Sequence, residues 1–144
     1  MKKILLSLFA VLFLGLALNC SAVPDKNPYL QRQWMMISFD GFSKEQLVAN
    51  RAEINLTAKM ENGKIQGSAS MGCNQMSFTS EFKKAGKVKI SQGASTMKAC
   101  QDMSLETSFQ KKFETMTKYT IEGHLLTLSD DSGNSMKFVA ADWD

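Results

Sequence analysis

The chain is poor in the residues that most enzymes, metal proteins and nucleic-acid binders depend on. Among its 144 residues there is one histidine, His124, with three cysteines and two prolines. A single histidine at a glycine-flanked position gives no Ser–His–Asp or Cys–His pattern to build on. Ser95 and Thr96 have no such partners in the sequence. One histidine and two distant thiols, Cys73 and Cys100, are too few for an ordinary closed zinc site. Basic clusters are missing as well. The formal net charge is +3, but setting aside Lys2 and Lys3 of the leader-like N-terminus leaves 15 basic against 14 acidic side chains. That balance lacks the electrostatic footprint of a nucleic-acid binder. No second long apolar run follows the first, so no further helical membrane span is expected.

What is present starts at the N-terminus. "MKKILLSLFAVLFLGLALNCSAVPDK" has two lysines, an apolar run of 15 residues from Ile4 to Leu18, and then small residues. That order is the layout of a bacterial export signal, and the run is shorter than the roughly 20 residues of a spanning helix. Two processing routes fit. Cleavage after Ala22 would release a periplasmic protein. Alternatively, "ALNC" ending at Cys20 resembles a lipobox, whose cysteine is lipidated and becomes the first residue. The expected organisation is an export signal over 1–22, a polar tether over 23–33 and one domain over 34–144. Membrane contact is then expected only through a lipid anchor.

Removal or lipidation of Cys20 leaves Cys73 and Cys100. An even pair in an exported chain reads as a disulfide; free or redox-active thiols and a metal site are the alternatives.

Strand signals recur along the domain. "WMMISF" (34–39), "AEINLTAKM" (52–60), "KIQGSAS" (64–70), "QMSFTSEF" (75–82) and "KVKISQ" (87–92) alternate or carry β-rich composition. Asn62-Gly63 is a strong hairpin signal, and Ala85-Gly86 marks another turn. Gly67 predicts a bulge or a close backbone approach. "KYTIEG" (118–123), "HLLTLSD" (124–130) and "NSMKFVAADW" (134–143) follow, with a "DDSG" turn between the last two. About eight short strands at regular spacing predict a small antiparallel barrel or sandwich. One segment departs from this. Within 101–118, Leu105, Phe109, Phe113 and Met116 recur at helical spacing, giving an amphipathic helix packed on the sheet, with Asp102 or Ser104 as its cap. Gly72, Asn74 and Thr96 read as turn and hydrogen-bonding residues, and His124 as a surface residue of a hairpin turn. Met71, Met76, Met97 and Met103 flank the two cysteines; adaptable core filling is the simpler role for such thioethers, Cu(I) binding the other.

Three stretches together, "GCNQMS" (72–77), "STMKAC" (95–100) ahead of a helix, and "YTIEGHLLTLSDDSGNSMKF" (119–138), resemble the META domain, also called the HslJ-like family. The likeness runs from about Trp34 to Phe138. It implies a mainly β fold, barrel-like, with one packed helix, in agreement with the strand count. It also implies a bacterial envelope protein with a stress-related or binding role, no defining enzyme activity and no cofactor. The expectation is a monomeric, non-enzymatic exported protein whose partner is an unknown envelope protein or a small apolar ligand. A lipocalin-like carrier and an envelope inhibitor of a secreted hydrolase are the alternatives.

Overall fold

The computed structural model describes residues 27–143. The export segment, Cys20 and the start of the expected tether lie outside the described residues. Nine strands form one antiparallel sheet: β1 (Gln33–Phe39), β2 (Glu53–Asn55), β3 (Met60–Glu61), β4 (Lys64–Ser70), β5 (Gln75–Lys83), β6 (Lys87–Ser95), β7 (Lys118–Glu122), β8 (Leu125–Ser129) and β9 (Ser135–Ala140). Their order is β2-β1-β9-β8-β7-β6-β5-β4-β3, and β2 also pairs with β4. That pairing closes eight strands into a barrel and leaves β3 as a short extra strand. Among the described residues there are two α-helices, α1 (Lys44–Ala49) and α2 (Ser104–Phe113), and a short 3-10 turn at Lys84–Gly86.

The alternation read from the sequence sets the faces. Trp34, Met36, Ile54, Ile65, Ala69, Met76, Phe78, Val88, Ile90, Leu126, Leu128, Met136 and Phe138 are buried in one core cluster. Lys64, Gln66, Lys87, Lys89, Glu122 and Lys137 alternate with them and are exposed. An eight-stranded barrel is just wide enough for side chains to fill it. Apolar inside and charged outside is also the reverse of a membrane barrel. No helix among the described residues is long and apolar enough to cross a membrane.

Closure is weakest between β6 and β7, which share one paired position, Lys87↔Lys118. Helix α2 covers the remainder of β6. The Gln92 backbone N–H donates to the Glu114 carboxylate at 2.6 Å, and Gln92 Nε2 donates to the Gln110 carbonyl at 2.6 Å. The apolar face of α2 enters the barrel: Phe113 meets Phe78 edge-on at 4.9 Å, stacks on Phe109 at 4.5 Å, and Phe109 reaches Phe39 at 6.3 Å. The core has one contiguous filling and the helix is part of it.

Several local expectations are corrected. Of the stretch expected as a tether, the described residues 27–33 belong to the domain: Leu30 is fully buried, and its carbonyl accepts from Trp34 Nε1 at 3.0 Å. The segment 52–60 is not one strand. Thr57, Ala58 and Lys59 turn outward between β2 and β3, although Leu56 is buried. The main helix is shorter than 101–118; Met116 lies beyond its end but is still buried. Met103 stands at its N-cap without a side-chain cap, while Asp102 accepts from the Ser104 backbone N–H at 2.9 Å. Helix α1 was not expected. Its signal was "SKEQ": Ser43 and Gln46 form a reciprocal capping box. Gly67 serves close approach: a Cβ there would lie 2.3 Å from the Phe78 ring, which crosses its backbone.

Candidate functional site

The motif residues converge at one end of the barrel. Cys73 and Cys100 are bonded, with their Cα atoms 6.1 Å apart. The bridge joins the β4–β5 connection to the loop that leads into α2. Gly72 enters this turn at φ +107°, and a Cβ there would fall 2.3 Å from Asn50 Oδ1, so both backbone and space require glycine.

Asn74 is the centre of the arrangement and is only 3% exposed. Its backbone N–H donates to Glu106 Oε2 at 2.8 Å, and its Nδ2 donates to Glu106 Oε1 at 2.8 Å. Nδ2 also donates to the Lys98 carbonyl at 3.2 Å. Its Oδ1 accepts from Thr96 Oγ1 at 2.9 Å and from the Lys98 backbone N–H at 2.7 Å. Thr96 Oγ1 in turn accepts from the Gln75 backbone N–H at 3.1 Å. One amide thus holds the first turn of α2, the end of β6 and the following loop together. The Thr96 hydroxyl thus both donates and accepts within this framework.

Glu106 is the site residue that the sequence reading missed. It is buried although ionisable. A signal existed: positions 106, 109 and 113 share one face of a 3.6-residue helix, so Glu106 lies along the apolar stripe. The loop outside this centre borders an open groove of about 490 Å³, lined in part by Met97, Lys98, Met103, Glu106 and Gln110. Met97 stands on it almost fully exposed, at 98%. Met71 and Met76 are buried in the core instead, so the methionines flanking the cysteines share no common environment. No group of three His, Cys, Asp or Glu side chains suited to a metal occurs among the described residues.

His124 is not a plain surface residue. At the opposite end of the barrel its ring stacks on Trp143 at 3.6 Å and its Nδ1 lies 3.3 Å from Arg32 Nη1. A guanidinium only donates, so Nδ1 is the acceptor and the proton of a neutral ring sits on Nε2. Arg32 also pairs with Asp142 at 2.8 Å, and its hydrogen bond holds the Asp142 carboxyl below the usual aspartate range. This cluster ties the two ends of the described chain together. Within it Arg32 is paired with both Asp142 and His124.

A profile of the META domain matches residues 28–143. The chain belongs to the META domain family. Among solved structures, a DUF4847 family protein from Bacteroides vulgatus is similar, with a TM-score of 0.53 and 13% sequence identity, covering 81% of this chain and 97% of that one. At that identity the likeness concerns the fold alone. No curated protein matches the sequence significantly. In this META domain the sequence motifs "GCN" and "TMKAC" are the two halves of one disulfide-braced, asparagine-centred junction.

Proposed function

We propose that this META domain is a non-enzymatic binding module of the bacterial envelope, exported and either lipid-anchored through Cys20 or free in the periplasm. It acts as a monomer and presents the 95–103 loop to another envelope protein. The observation that carries this reading is the contrast between a barrel filled by its own aromatic side chains and a loop held outward by a disulfide and the Asn74 centre. A filled interior speaks against the carrier alternative, which requires an internal apolar cavity of several hundred Å³. Bracing lowers the entropy lost when a loop is ordered on binding, which favours it as a contact element. The disulfide supports export, because such bonds persist in oxidising compartments. A stress-related role belongs to the same reading and rests on the family alone.

The test is site-specific photo-crosslinking in intact cells of the native host. A crosslinker at position 97 should give a discrete protein adduct, and one at Val48, which is exposed on α1, should not. No adduct from position 97, or the same adducts from both positions, would overturn the contact-loop reading. The intact mass of the same purified protein reads the anchor: a diacylated or triacylated chain starting at Cys20 supports it, and an unmodified chain starting at Val23 places the protein free in the periplasm.

A further inference from the structure

The sulfur atoms of the domain are sharply partitioned. From Met35 to Met136 there are nine methionines in the sequence. Met36, Met71, Met76, Met116 and Met136 are exposed by 2% or less, and Met35, Met60 and Met103 are half-buried or less accessible than the surface. Met97 alone is exposed outright, at 98%. Cys73 and Cys100 are already joined, so no thiolate among the described residues competes for an oxidant. We propose that Met97 is an oxidation site, converted to the sulfoxide by a peroxide ahead of the other methionines from Met35 to Met136, and that this switches the polarity of the braced loop.

The chemistry is self-contained. A lone pair on Met97 Sδ attacks one oxygen of hydrogen peroxide. The S–O bond forms, the O–O bond breaks, and the departing oxygen leaves as water after proton transfer. The sulfur loses two electrons and the peroxide gains them. The product replaces a soft apolar tip with a strong hydrogen-bond acceptor, and methionine sulfoxide reductases reverse it. The position suits a switch because the fold does not depend on it. Met97 lies between Thr96 and Lys98, whose bonds to Asn74 fix the backbone on either side, while its own side chain is in solvent. Oxidation of Met36 or Met136 would instead place a polar group in the core.

The effect on docking rests on the contact-loop reading; the site itself does not. The experiment is a time course of the folded, disulfide-intact protein in dilute hydrogen peroxide, followed by digestion and peptide mass measurement. The Met97 peptide should gain one oxygen severalfold faster than any other methionine peptide, with the circular dichroism spectrum unchanged. Met97→Leu should remove this fast phase and leave the slow ones. Oxidation of Met35, Met60 or Met103 as fast as Met97 would overturn the proposal, as would an unmodified Met97 while they react. Selective oxygen uptake at Met97 together with an absent crosslink at that position would retain the oxidation site and remove the contact loop.

Discussion

At Asn74 a single buried side chain meets a carboxylate, a hydroxyl and both backbone groups of Lys98. Such a centre is stabilising only while it is complete, because a buried donor or acceptor left without a partner keeps its full desolvation cost. Asn74→Ala strips the side-chain donor from Glu106 and the acceptor from Thr96 and the Lys98 N–H. It should lower stability by about 3 kcal/mol or more in denaturant unfolding. The double variant Asn74→Ala/Glu106→Leu should lose less than the two single changes combined, since the carboxylate left with only its backbone donor is gone. Simple additivity would show that the two side chains are not coupled. From the sequence, Asn74 reads as a turn residue, and that is correct for its backbone setting. Its amide's partners lie 22 to 32 positions away, and no local rule names them.

Helix α2 belongs to the core as fully as any strand. Its spacing of Leu105, Phe109 and Phe113 was legible because an amphipathic stripe repeats along one face. Its ends were not, since the buried residue Met116 continues the period after the helix has stopped. Phe113 is fully buried and touches Phe78 and Phe109. Phe113→Ala should therefore cost roughly 3–5 kcal/mol, the range for large aromatic truncations in a core. Thermal or denaturant unfolding checks it. A near-neutral change would mean that the barrel end relaxes around the cavity. Helix α1 teaches a different lesson. Six residues give too little period to detect, and only its capping box marked it.

For the molecule as a whole, the disulfide is a constraint laid over a fold that already has its own core. The bridge spans a sequence separation of 27. Closing such a loop stabilises by about 3–4 kcal/mol in the chain-entropy account. Cys73→Ser/Cys100→Ser should lower the unfolding free energy by about that amount while leaving the barrel folded. Loss of all cooperative unfolding in the variant would show that the core cannot hold the domain alone. Unchanged stability would show that the Asn74 centre holds the junction without help.

The sequence by itself determined the faces of most strands, the apolar stripe of the main helix, the Asn62-Gly63 turn and the two-cysteine pairing. Each of these is written in residues close together or in a count, and period, turn chemistry and cysteine parity are local properties. Only the tertiary structure decided that β2 returns to pair with β4 and closes the barrel, because strand order carries no local signature. It also decided that β6 and β7 part and let α2 in, that Leu30 belongs to the core, and that Arg32, His124, Asp142 and Trp143 meet at the far end. The same holds for Glu106. A carboxylate on a helix is buried only when the fold brings it hydrogen-bond donors, and here the donors sit 32 residues earlier on Asn74.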